Sequence, residues 1–213
     1  MGFDELKRDL ITKLKRHGIK RDVLDALEKV PREHFVPEEE KRYAYHDTPL
    51  SIGMGQTISA PHMVAIMCNL LEIEKGMTIL EVGTGSGYHA AVMAELTGEE
   101  GHVYTVECNE ELAQNAIENL KKTKYTNITV ITGDGSEGLK EHAPYDRISV
   151  AAAAPEIPPP LIDQLKEGGR MVIPIGREYQ ELYLVTKNHK TRIEKKCGVA
   201  FVPLRGRYGQ KIC

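Results

Sequence analysis

Glu81 opens the run Glu-Val-Gly-Thr-Gly-Ser-Gly that closes at Gly87. Glu107 follows twenty residues later, and Asp134 sits inside Gly-Asp-Gly. Glycines at 83, 85 and 87 let a backbone turn tightly and approach a ligand with no Cβ in the way. A dinucleotide loop reads G-x-G-x-x-G, whereas this one reads G-x-G-x-G with a carboxylate two residues ahead of it. That carboxylate would repel a pyrophosphate but suits the positively charged methionyl part of S-adenosylmethionine. Glu107 can accept both hydroxyls of a ribose, or be an ordinary solvated acid. Asp134 can meet an adenine amine with Gly135 letting the ring approach, or can mark a simple Asp-Gly turn.

These residues need strands and helices to carry them. Residues 77–83, 102–107, 128–134, 145–153, 170–176 and 181–187 read as strands; 87–97, 110–121 and 158–166 read as helices. Strand and helix in alternation predict right-handed crossovers and a mostly parallel sheet, so the three acidic residues fall at successive strand ends. The last strands follow one another without a helix, which predicts antiparallel pairing at the end of the sheet. Ahead of them, Phe3, Leu6, Leu10, Ile11 and Leu14 form one helical stripe, and Val23, Leu24, Leu27 and Val30 form a second. From Pro31 to Gly55 the text is irregular and reads as a long functional loop. Ser59 then suits the N-cap of a helix ending near Leu71, where free N–H groups would favour an anion. His62, in the first turn, reads as structural or solvated unless it faces the cleft.

After the fourth strand comes Val150-Ala-Ala-Ala-Ala-Pro155, with neither the Asn/Asp-Pro-Pro-aromatic motif of amino-directed nucleic-acid methyltransferases nor a Pro-Cys nucleophile. The blocks GQTISAPH (55–62), EVGTGSGY, VECNEEL, GDGSEGL, YDRISVAAAAPEIP, GGRMVIPIG and FVPLRG together resemble the protein L-isoaspartate O-methyltransferase family, from about Val30 to Gly209. The resemblance implies a Rossmann-like class I methyltransferase fold, α/β, with helices on both faces of the sheet and a helical N-terminal extension. It implies S-adenosylmethionine as cofactor and isoaspartyl proteins and peptides as substrates. It also implies Ser59 as the active-site residue, Thr57 and Ser59 beside the cofactor, and Ile58, Val202 and Leu204 beside the substrate. The segment Phe201–Leu204 is expected to offer its main chain to a peptide, or else to be core strand. An acceptor carboxylate is already ionised at neutral pH, so no strong general base is needed. Ser59 is therefore read as an aligning donor. Methylation of a small carboxylic acid, or cofactor binding without catalysis, remain the other readings.

The totals fit one unit over 1–213, with 1–75 as a substrate-side extension and 76–213 as the cofactor-binding core. The chain is 41% hydrophobic and 28% charged, and its formal net charge of -3 supplies no general basic field for nucleic acid. Cysteines 68, 108, 197 and 213 form no C-x-x-C pair or zinc spacing, and no apolar run is long enough for a membrane. The expectation is a cytoplasmic monomer that binds no metal, nucleic acid or membrane.

Overall fold

The computed structural model describes residues 2–210, so Cys213 lies outside them. Helices α1 (Phe3–Lys15) and α2 (Arg21–Lys29) bury Leu10, Leu14, Val23, Leu24 and Leu27, the inward face of the two predicted stripes. The irregular region beyond holds two 3-10 turns (Arg32–His34 and Glu38–Tyr43) and an antiparallel hairpin of β1 (Leu50–Gly53) and β2 (Gln56–Ile58). Helix α3 runs Pro61–Leu71. The alternating region follows as β3 (Thr78–Val82), α4 (Tyr88–Thr97), β4 (His102–Glu107), α5 (Glu110–Lys121), β5 (Ile128–Thr132) and β6 (Tyr145–Val150). It ends with α6 (Pro159–Gln164), β7 (Leu165–Gly176), β8 (Gln180–Thr186) and β9 (Arg192–Val199).

Seven strands form one sheet in the order β5-β4-β3-β6-β7-β8-β9. The first five are parallel; β7–β8 and β8–β9 are antiparallel. Successive strands run outward from β3 to β5, and the chain then returns to the other side of β3 for β6. The carboxyl end of β3 is therefore the topological switch point, where doubly wound sheets hold ligands. One apolar cluster joins Leu10 and Leu27 of the leading helices to Met67, Ile79, Val92 and Leu184, so the extension packs on the sheet.

Three local expectations are corrected. Proline is favoured at the first helical position, so Pro61 makes Ala60 the N-cap of α3, and Ser59 lies outside the helix. The first-turn N–H groups are occupied: His62 N–H donates to Asp47 Oδ1 (2.9 Å), and Met63 and Val64 donate to Ala60 O (2.9 and 3.3 Å). The helix start therefore adds no open anion site. The sheet also gains β9, a strand absent from the sequence reading. At the other end of α3, Arg147 donates to the carbonyls of Leu71 and Glu72, and Arg170 Nη1 donates to Leu70 O (3.2 Å). Arg147 thus pins the helix carrying the site to β6, and cations at a helix C-terminus also match its dipole.

Candidate functional site

At the end of β3 the two neighbouring strands part. Gly83 N–H donates to Val106 O (2.8 Å), while Ala151 N–H donates to Val82 O (2.8 Å). The cleft between them is lined by Gly83, Gly85, Glu81, Glu107, Leu112, Gly135, Thr57, Ser59 and Leu204, among others. Gly83 and Gly85 have φ of +95° and +54°, a region that favours glycine. Gly87 does not line the cleft. It is the N-cap of α4, and a Cβ there would stand 3.3 Å from Leu120 Cγ, so it serves the packing of α4 against α5.

Glu107 is held by the loops it joins. Gly85 N–H donates to its Oε2 (3.0 Å) and Asn109 N–H to its Oε1 (3.1 Å). Glu81 is fully buried: Thr105 Oγ1 donates to its Oε2 (2.6 Å), and Thr84 backs Thr105 at 2.7 Å. Its Oε1 has no hydrogen-bond partner among the described residues, and His89 Nδ1 stands 3.5 Å away. Burial, reinforced by the charge of Glu107, pushes the Glu81 carboxyl up to about 8, and burial pushes His89 down to about 4. At neutral pH the ligand-free pair is thus predominantly uncharged. A buried carboxyl with an unpartnered oxygen fits a cationic ligand group, which would restore the ionised form.

Asp134 is placed differently. Its Oδ1 accepts from Ser136 N–H (2.9 Å) and Ser136 Oγ (2.6 Å), and its Oδ2 accepts from Arg207 N–H (2.7 Å). With both oxygens so engaged and Asp134 absent from the cleft lining, the carboxylate clamps the segment after Leu204. Gly135 does line the cleft, and a Cβ on it would meet Val82 Cγ1 at 2.7 Å, so this wall needs glycine.

A second, outer cleft is lined by Pro49, His62, Met63, Glu178, Tyr179 and Phe201. Thr57, Ser59, Ala151 and Val202 line both clefts. Val202 therefore borders the outer cleft as well as the inner one. Ile58 and Leu204 are only 5% and 4% exposed and line the inner cleft alone. The main chain near Val202 is mostly paired internally. Phe201 N–H donates to Gln180 Oε1 (2.6 Å), Phe201 O accepts from Gln180 Nε2 (2.9 Å), and Val202 O accepts from Ala153 N–H (2.8 Å). The segment consequently presents side chains to the cleft more than a peptide-pairing edge.

Arg32, which the sequence reading passed over, fixes Ser59. Its fully buried guanidinium donates to Ala44 O (2.8 Å) and Ser59 O (2.8 Å), and lies 4.8 Å from the centre of the Tyr88 ring. No local pattern in Pro-Arg-Glu-His distinguishes this cation from a solvated one. No group of His, Cys, Asp and Glu suited to a metal occurs among the described residues.

A glycine-rich switch-point cleft with a buried acid in its wall and a second acid at the next strand end defines a Rossmann-like methyltransferase. The profile described as protein-L-isoaspartate(D-aspartate) O-methyltransferase matches residues 5–209, and the chain belongs to that family. It is 56% identical over 206 residues to a protein-L-isoaspartate O-methyltransferase of Methanothrix thermoacetophila, covering 97% of this chain and 98% of the relative. A second relative, from Methanococcoides burtonii, is 58% identical over 202 residues, covering 94% and 100%. Among solved structures, a protein-L-isoaspartate O-methyltransferase superposes with a TM-score of 0.89 at 32% identity, covering 95% of this chain and 67% of that one. A Plasmodium falciparum protein titled as a putative member, in complex with S-adenosyl-L-homocysteine, gives 0.83 at 33% identity, covering 92% and 97%.

Proposed function

We propose that this protein transfers the methyl group of S-adenosylmethionine to the free carboxylate of L-isoaspartyl residues in damaged proteins and peptides. The observation that carries this reading is that Thr57, Ser59, Ala151 and Val202 line both clefts, so two ligands can meet across one short wall. The ester product closes spontaneously to a succinimide with loss of methanol, and hydrolysis of that ring returns some normal aspartate.

Several residues fit the cofactor. Glu81 meets its positive charge, Glu107 its ribose hydroxyls, Gly83 and Gly85 give backbone access, and Val106, Leu112 and Gly135 suit an adenine ring. When bound, S-adenosylmethionine supplies a methyl group activated by its sulfonium. The protein's own task is alignment and exclusion of water. Ser59 donates a hydrogen bond to one oxygen of the acceptor carboxylate, leaving the other to attack. Attack consumes negative charge, so a single neutral donor holds the nucleophile without quenching it as a cation would. The family match and the half-buried Ser59, held through its carbonyl by Arg32, support that assignment.

A monomer acting in the cytosol completes the proposal, with the net charge of -3 against nucleic acid as a substrate. Cysteines 68, 108 and 197 are all unpaired, which suits a reducing compartment. No helix among the described residues is long and apolar enough to cross a membrane. The test is labelling from methyl-labelled S-adenosylmethionine on matched isoaspartyl and aspartyl peptides. Base-labile label on the isoaspartyl peptide alone is expected; equal labelling, or none, rejects the reading.

A further inference from the structure

Asp47 lies in the loop between the second 3-10 turn and the hairpin, and its Oδ1 stands 2.9 Å from both the backbone nitrogen and Nδ1 of His62. A carboxylate only accepts, so Nδ1 is the ring nitrogen that carries a proton, and in the neutral form of such a ring the lone pair is at Nε2. The ring is 40% exposed, lines the outer cleft, and has no partner for Nε2 among the described residues. Capping α3 requires only the backbone bond to Asp47. The second bond fixes the plane and tautomer of a ring in the wall that holds Ser59.

We propose that His62 is a substrate-binding residue whose Nε2 accepts the backbone N–H of the isoaspartyl residue while Ser59 donates to its carboxylate. The inference rests on the isoaspartyl reading above. In an isoaspartyl residue the free carboxylate and the amide nitrogen are attached to the same carbon; in an aspartyl residue the carboxylate is one carbon further away. A donor at Ser59 and an acceptor at His62, both in the wall of the outer cleft, would therefore measure the feature that separates damaged from normal residues. A lone pair at Nε2 repels the carboxylate and attracts an N–H, so the two ends of the group are sorted as well as spaced. A site built around such a bond discriminates because a substrate lacking the group leaves a desolvated partner unpaired.

The experiment compares wild type, H62A and H62Q on an isoaspartyl peptide and on the same peptide methylated at the isoaspartyl nitrogen. H62A is expected to lower kcat/KM on the first peptide about tenfold, mainly through KM, as loss of one hydrogen bond allows. N-methylation should impose a similar loss on wild type and none on H62A. H62Q should recover most activity on the unmethylated peptide, because its amide oxygen can replace Nε2. Cofactor affinity by calorimetry should stay unchanged in both variants, which also confirms folding. An H62A enzyme with unchanged KM, or N-methylation losses equal in wild type and H62A, overturns the proposal. Wild type that labels neither peptide overturns the isoaspartyl reading itself, a result distinct from either.

Discussion

Replacing Glu81 by Gln should make the ligand-free protein more stable, increasingly so as pH rises. In the native state the carboxyl sits at about 8 against an ordinary 4.5, because it is buried and close to Glu107. The native value is the higher one, so the contribution of Glu81 to stability is fully present below pH 4.5 and is lost as pH rises through 8. Glutamine does not titrate and retains an oxygen for the Thr105 hydroxyl. At about 1.4 kcal/mol per pH unit, its advantage is under about 1 kcal/mol at pH 5, about 3 at pH 7, and about 5 above pH 8. These are upper figures, since the amide brings two N–H donors into a buried site where His89 Nδ1 stands 3.5 Å from the unpartnered oxygen. The pH slope does not depend on that cost. Urea unfolding of both proteins at pH 5, 7 and 9 measures it, and at pH 7 the melting temperature should rise by roughly 6–12 °C. Cofactor affinity should fall in the same variant, and wild type should release a proton on binding below pH 8, visible as a buffer-dependent enthalpy. A stability gap that is constant or shrinks with pH would refute the buried-acid argument.

Ser59→Ala should keep cofactor affinity within about twofold and lower kcat about tenfold, the worth of one hydrogen bond; a full-rate variant removes Ser59 from the chemistry. Glu107→Ala should weaken cofactor binding by about tenfold or more, since the ribose partner is lost and Gly85 and Asn109 lose their anchor; calorimetry showing an unchanged dissociation constant contradicts the ribose assignment. Arg32→Met should cost about 2–4 kcal/mol in urea unfolding by leaving the Ala44 and Ser59 carbonyls unpaired, and should lower kcat with it. A variant as stable as wild type would mean that the Ser59 turn does not need this anchor.

The sheet was legible from β3 to β8 because apolar strands there alternate with helix-length segments, and Gly83, Gly85 and Glu107 fall at predictable strand ends. Strand β9, Arg-Ile-Glu-Lys-Lys-Cys-Gly-Val, was hidden because an edge strand has little to bury, and its apolar positions carry no clear alternation. The hairpin of β1 and β2 lay inside Gly/Pro-rich text that reads equally as loop. Ser59 was misplaced by one residue for a reason present in the sequence: Pro61 at the first helical position makes residue 60 the cap. Asp134 lies two residues beyond β5 as the cap of a 3-10 turn, and its partners Ser136 and Arg207 lie two and seventy-three residues away, so only folding brings the second to it. Asp47 and His62 likewise meet across fifteen residues.

The clamp between Asp134 and the segment after Leu204 bears on how the protein is made. Gly206 packs so closely on Asp134 that any side chain there would collide with the carboxylate, and Gln210 N–H closes onto Leu204 O at 2.8 Å. All other residues of the cofactor cleft come earlier in the chain than this strap. During synthesis the glycine loop, both acids and Ser59 emerge first, and the strap that fixes the cleft wall at Leu204 and Arg205 follows them.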